Sequence, residues 1–320
     1  MQDGYQSGGH GCGASMSVLG NAFETFRRTW EERAPDDPAQ VLRRGIRRGQ
    51  LAAAYAGAAH ALCCNEVGTI VMPTGSGKSA VMILIAGLIR ARRVLVIVSS
   101  RALRRELANK FHAIDPFVEL GLIDEPARKP NCKIVDSRPT HQEQWRALTD
   151  ADVVVALPQS ISPGLKGVAR APAGLFDLVL MDEAHHAASE TWSALLDQFV
   201  GRPRLMFTAT PYRLDGRPLR GRAVFTYTAA QAYEEGIFGQ VHYEAVGIDP
   251  PQSPDGAIRH AVMTRLSVDR AAGFDHRILV KCKTIDRAEE VAKLYRSAGC
   301  AIEAVHSRLD EATNTQRRAH

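Results

Sequence analysis

From about Val67 onward, short runs rich in β-branched residues alternate with longer stretches of helical spacing. The runs are VGTIVM, RVLVIV, DVVVA, DLVLM and PRLMF. This alternation predicts an α/β fold built on a parallel sheet. Parallel neighbours need crossover connections, so helices must flank the sheet on both faces. The loops at the strand carboxyl ends then gather along one edge, where ligand chemistry is expected.

The flanking regions follow other patterns. The opening MQDGYQSGGHGCGAS has almost no apolar content and is expected to be a disordered tail (1–18). Phe23, Phe26 and Trp30 form an apolar stripe that predicts a helix ending before Pro35, within a helical segment 19–46. The main α/β unit is expected over 47–228. Residues 229–274 read as a linker with a strand around VHYEAV, a loop IDPPQSPDG and a helical stretch. A second αβ rhythm starts near Arg277 with RILVKC, continues through a helix carrying Ala288, Val291, Leu294 and Tyr295, and reaches a strand at CAIEAV. It makes 275–320 the start of a second domain of the same kind.

At 320 residues and 45% hydrophobic content, the chain has enough for one well-buried domain plus additional material. The formal charge of +5 fits a polyanion binder but does not establish one. Six cysteines, Cys12, Cys63, Cys64, Cys132, Cys282 and Cys300, form no CxxC pair. They suggest reduced thiols in a cytosol rather than a zinc site or a disulfide scaffold. His10 and Cys12 in the tail read as incidental. No apolar run approaches the ~20 residues that span a bilayer, so a soluble, cytoplasmic protein with no membrane partner is expected.

The strongest chemical signal is TIVMPTGSGKSAVMIL, a strand running through a glycine-containing turn into a helix. Gly75 and Gly77 let the backbone turn its N–H groups, with those of Thr74 and Ser76, toward a phosphate, and the helix from Lys78 adds its positive end. Lys78 can reach β- and γ-phosphates, and Ser79 offers a hydroxyl to Mg2+. ATP and Mg2+ are the implied cofactors. The general pattern GxxxxGK[ST] has a glycine where this chain has Met72. In DLVLMDEAHH an apolar strand delivers Asp182 and Glu183 to its carboxyl end. Asp182 suits the Mg2+ shell and Glu183 the attacking water. Alone, such a pair is as well explained by a solvated turn; after a phosphate loop it is not. At two other strand ends, Ser99, Ser100 and Arg101, and likewise Pro158, Gln159 and Ser160, can face a phosphate backbone. The alternative for the first group is simple capping by Ser100.

These motifs in order, PTGSGKS, VSSRALRREL, VVVALPQS, MDEAHH and FTATPYRLDG, resemble the superfamily 2 helicases. The resemblance is to the DEAH-box branch that includes type III restriction-enzyme Res subunits and DNA-repair translocases, and it covers roughly residues 47 to 308. That branch lacks the early glycine, so Met72 conforms to it. The resemblance implies a RecA-like first domain followed by an incomplete second one, ATP hydrolysis, and a nucleic-acid partner with DNA preferred. It implies that Gln50, in IRRGQ, reads the adenine edge with Arg47 in support, and that Thr208 and Thr210 couple hydrolysis to domain movement together with His185. It gives His186 no role.

LVKCK and AVHSRL resemble the opening motifs of the family's second domain, but no QxxGRxxR-like element follows, and Arg317 and Arg318 come too soon to be its arginine finger. The expectation is a chain that binds nucleotide and turns it over feebly, as a fragment or as one part of a motor completed by a second polypeptide. A rival of another class is a non-motor module whose shape nucleotide switches. A metabolic kinase leaves SSRAL, LPQS and TATP unexplained.

Overall fold

All the strand pairings of the main sheet are parallel. The computed structural model describes residues 17–38, 40–183, 190–210, 220–239, 243–248, 253–274 and 278–319. The chain divides into two compact units, Met1–Gln240 and Val241–His320. The first opens with α1 (Val18–Ala22), a 3-10 turn at Phe23–Thr25, a ribbon of β1 (Glu32–Arg33) and β2 (Val41–Arg43), and α2 (Arg48–Cys63). Then come β3 (Gly68–Val71), α3 (Lys78–Leu88), β4 (Val94–Ile97), α4 (Arg101–Ala113), β5 (Cys132–Val135) and α5 (Gln142–Arg146). They are followed by β6 (Val153–Ala156), α6 (Pro158–Ile161), β7 (Leu178–Met181), α7 (Glu190–Gln198), β8 (Arg204–Thr208), β9 (Arg222–Thr226) and α8 (Ala229–Glu234). The spatial order is β5-β6-β4-β7-β8-β3-β9.

Successive side chains along a strand leave opposite faces, and the two faces bury separate cores. Val94, Val96, Val153, Val155, Leu178 and Leu180 join the cluster that also holds Leu51, Leu84 and Phe111 from α2, α3 and α4. Their strand neighbours Leu95, Ile97, Val154, Val179 and Met181 join the other cluster, with Trp145, Ile161, Trp192 and Leu195 from α5, α6 and α7. α3 is buried at every position from Ala80 to Gly87, because α1 and α2 cover the side that the sheet does not. At about 1.5–3 kcal/mol for each large apolar side chain removed from water, these cores are the main favourable term holding the edge in place.

The five expected strands form as β3, β4, β6, β7 and β8, and two more, β5 and β9, close the sheet at its edges. The helix expected through Phe26 to Trp30 does not form. α1 and the 3-10 turn stop at Thr25, after which the Arg27 N–H donates to Leu122 O at 2.7 Å and the Ile46 N–H to Thr29 O at 2.9 Å. The apolar spacing there serves tertiary packing: Phe23 and Phe26 stack edge-on against Phe117. Trp30 instead bridges to Ile46 and is 40% exposed.

The second unit has α9 (Pro254–Ala271), α10 (Ile285–Arg296) and α11 (Glu311–Ala319). The helix expected through Ala288, Val291, Leu294 and Tyr295 is α10, capped by Thr284, whose hydroxyl accepts from Arg287 N. Among the described residues no strand forms at 243–248, 278–283 or 300–306, where sequence pattern predicts three. Isolated strands are not stable without neighbours, and none of these segments pairs with another. The opening tail with His10 and Cys12, part of IDPPQSPDG, and Arg277 lie outside the described residues.

Candidate functional site

The phosphate loop lies between β3 and α3. Gly75 has φ +85° and Gly77 φ +92°, and Gly77 is the N-cap of α3, so both take the left-handed backbone that the sequence predicts there. The turn is tied to itself by Ser76, whose buried hydroxyl donates to Pro73 O at 2.7 Å. Thr74 and Gly75 are exposed at its crest. Lys78 is half-buried, and its ammonium donates to Met72 O at 3.4 Å across the turn, a position from which it can swing to a bound phosphate. The Ser79 hydroxyl accepts from the Lys110 ammonium at 3.4 Å.

α2 braces this loop from behind. The Gln50 amide oxygen accepts from Arg47 N at 3.1 Å, closing the first turn of α2, while its Nε2 donates to Ser76 O at 3.2 Å. Each end of the amide keeps one further hydrogen-bonding position. Arg47 pairs with Glu31 at 3.4 Å, and Glu31 also holds Arg33 at 2.6 Å, so the ribbon before α2 orients the guanidinium. Glu31, Arg44, Arg47, Gln50, Gly77 and Ser79 line a cavity of about 500 Å³ beside the loop.

β7 ends at Met181 on the same edge, with β8 between it and β3. Asp182 follows directly, 7% exposed, its N–H donating to Ile97 O at 2.8 Å. Burial pushes its carboxyl pKa up, the adjacent Glu183 carboxylate pushes the same way, and the Lys78 ammonium pulls it down. The Lys78 ammonium and the Asp182 carboxyl therefore act on each other across one edge. Among the described residues Asp182 Oδ1, which is buried, has no hydrogen-bond donor. A buried carboxylate oxygen without a donor, at the sheet edge that also carries the Ser79 hydroxyl, has the hard oxygen chemistry that Mg2+ takes, so these residues fit the ion. Glu183 adopts φ +56°, a backbone unusual for a non-glycine residue and concentrated at functional sites.

Thr208 ends β8, fully buried, and its carbonyl accepts from Met72 N at 2.8 Å. Its hydroxyl donates to Thr210 O at 3.0 Å and accepts from Thr210 N at 3.1 Å. Within the described residues, then, this turn is tied to the entry of the phosphate loop. His185, His186 and the segment 211–219 after Thr210 lie outside the described residues.

Ser99, Ser100 and Arg101 follow β4 at the same edge. Ser100 caps α4, its hydroxyl accepting from Leu103 N at 3.3 Å, and Arg101 is exposed. Pro158, Gln159 and Ser160 open α6 after β6. Pro158 and Ser160 are buried, and only Gln159 presents its side chain to solvent. Capping and phosphate contact are compatible at Ser100, since both use the helix amino end.

Beside Glu31, which orients Arg47, two residues on α4 have no counterpart in the sequence reading. Lys110 reaches Ser79 from α4, and Glu106 one turn earlier pairs with Lys110 at 2.7 Å and adds to the upward push on Asp182. Their i,i+4 spacing was visible, but which face α4 turns toward α3 was not.

Residues 45–213 match the family described as type III restriction enzyme, res subunit. The DNA 3'-5' translocase XPB2 of Sulfurisphaera tokodaii is 28% identical over 152 residues, 47% of this chain and 28% of that protein. Among solved structures, a nuclease-deletion mutant of the Type ISP restriction-modification enzyme LlaGI, in complex with a DNA substrate mimic, aligns over 82% of this chain and 25% of its own at 17% identity (TM-score 0.43). The UvsW helicase of bacteriophage T4 aligns over 65% of this chain and 62% of its own at 18% identity (TM-score 0.37). The chain thus spans about a quarter of the length of the translocase and of the restriction enzyme.

Proposed function

The chain belongs to the type III restriction enzyme, res subunit family, a group of nucleic-acid helicases and translocases, and on that premise we propose that it hydrolyses ATP with Mg2+ to drive movement along DNA. The reading rests on one observation: the glycine turn, Lys78 and Asp182 share one edge of the sheet, where the Lys78 ammonium pulls down the pKa of a buried Asp182 carboxyl whose Oδ1 has no donor among the described residues.

In this reading the N–H groups of Thr74, Gly75, Ser76 and Gly77 cradle the β-phosphate, and Lys78 exchanges its weak bond to Met72 O for the β- and γ-oxygens. Ser79 and Asp182 would hold Mg2+, with the Ser79 hydroxyl giving up its bond from Lys110. When bound, the ion neutralises charge that builds on the transferred phosphoryl group. Glu183 polarises the attacking water. Gln50 offers its remaining donor and acceptor positions to adenine, with Arg47 held in place by Glu31. Thr208, Thr210 and His185 relay the state of the site to the rest of the motor. Ser99, Ser100, Arg101 and Gln159 form the track for a DNA backbone, which fixes register without reading sequence, while Pro158 and Ser160, buried, shape the turn that presents Gln159.

The test is Mg2+-dependent ATP hydrolysis by the full chain with and without DNA, wild type against Lys78→Ala. Turnover that DNA stimulates and Lys78→Ala removes supports the motor. Nucleotide binding with no DNA-stimulated turnover points to the nucleotide-switched module, and turnover appearing only with a second polypeptide that carries the arginine motif points to a split motor.

A further inference from the structure

α2 starts beside the phosphate loop and ends, after 16 residues, in three side chains with three kinds of donor atom. The His60 ring, the Cys64 thiol and the Glu66 carboxylate each place one ligand atom within 4.8 Å of the others. We propose that they form a site for a divalent transition metal, Zn2+ in particular, at the sheet edge opposite the nucleotide.

The backbone builds this cluster. His60 and Cys64 are four residues apart, so they share a face of the last turn of α2, and Cys64 leaves the helix as its C-cap at φ -126° and ψ 140°. Glu66 follows at the approach to β3. His60 is 7% exposed, and a ring nitrogen bonds to Glu66 O at 3.1 Å, which fixes the ring as a backbone carbonyl commonly does for a metal-binding histidine. The ring lies against Gly68, where a Cβ would stand 2.6 Å from His60 Cδ2, so the pocket exists because no side chain is there. The last carbonyls of α2 lend negative charge to a cation. Among the described residues Arg222 pairs with the Glu66 carboxylate, at 3.7 Å with both side chains more than half exposed, a weak restraint.

One nitrogen, one sulfur and one carboxylate oxygen suit a borderline cation such as Zn2+, with water as a fourth ligand, and are a poor match for Mg2+. Binding converts the Cys64 thiol to thiolate and releases its proton to solvent. The metal would tie the end of α2 to the start of β3, the two elements that carry Gln50 and the phosphate loop at their other ends. The absence of a CxxC pair is why the sequence gives no hint of it.

The test is titration of the full, reduced chain with Co2+ and with Zn2+ against a metallochromic chelator, read by visible d–d bands and a near-ultraviolet thiolate charge-transfer band. One equivalent is expected, with a raised Tm and a released proton. Cys64→Ser removes the charge-transfer band, the exposed Glu66→Gln weakens affinity by on the order of tenfold or more, and Cys63→Ser at the adjacent exposed cysteine leaves both unchanged. No uptake, or uptake that Cys64→Ser and Glu66→Gln leave intact, overturns the proposal. Either result stands apart from the motor reading, because no readout requires ATP turnover.

Discussion

Gly77 combines a φ of +92° with a side-chain position already filled by the Gln50 amide. Gly77→Ala therefore pays about 1–2 kcal/mol for left-handed backbone and also displaces the amide that braces Ser76. The expected result is a lower Tm and at least tenfold weaker ATP binding, read by calorimetry and nucleotide titration. Asp182 makes the converse case, a group whose charge opposes folding. Its folded pKa is raised, so the folded chain holds the proton more tightly than the unfolded chain does. In the metal-free protein this stabilisation is fully present below the ordinary aspartate range and is lost as pH rises through the raised value. Asp182→Asn should accordingly be more stable than wild type at neutral pH, with the difference shrinking as pH falls, while Mg2+-dependent hydrolysis disappears. Equal stability of the two proteins at every pH, in thermal melts without Mg2+, would contradict the raised pKa of that carboxyl.

Edge strands depend on what helices bring to them. Arg104 of α4 is 6% exposed and holds the end of β5, its Nη1 donating to Val135 O at 2.8 Å and its Nη2 pairing with Asp136. Arg104→Met keeps the aliphatic stem but leaves a buried carbonyl without its donor, at a cost of about 1–3 kcal/mol. Hydrogen exchange should show the loss concentrated in the amides of β5, with β4 and β7 at the centre of the sheet protected as before. The same contrast explains which strands were legible. β3, β4, β6 and β7 are buried at every position, and apart from Thr69 in β3 they carry no polar side chain. Apart from Val135, β5 and β9 are half-buried or exposed; they carry Lys133 and Arg222 and escape a reading that looks for apolar runs. The stripe of Phe23, Phe26 and Trp30 misled for a related reason, since aromatic residues gathered by tertiary contact with Phe117 can mimic helical spacing.

Both hydrophobic cores of the sheet lie within Met1–Gln240, so a chain cut after that unit should fold alone, melt cooperatively and still bind Mg2+-ATP. A broad, non-cooperative melt of residues 17–240 would show that the second unit is needed. A chain of net charge +5 that contacts a phosphate backbone should lose affinity steeply with salt. Arg101→Ala should weaken DNA binding uniformly across sequences and lower the salt slope by about one, measured by fluorescence anisotropy over a salt series. What the sequence determined by itself were the features set by local rules: a parallel sheet from β-branched runs and crossovers, left-handed glycines in a turn before a helix, acids at a strand end. Only tertiary structure decided the rest. Whether Lys110 faces Ser79, whether the Gln50 amide reaches Ser76, and whether His60, Cys64 and Glu66 meet depend on how helices cross and where a glycine leaves room. Those are distances between residues far apart in the chain or at the end of an element, and periodicity carries no information about them.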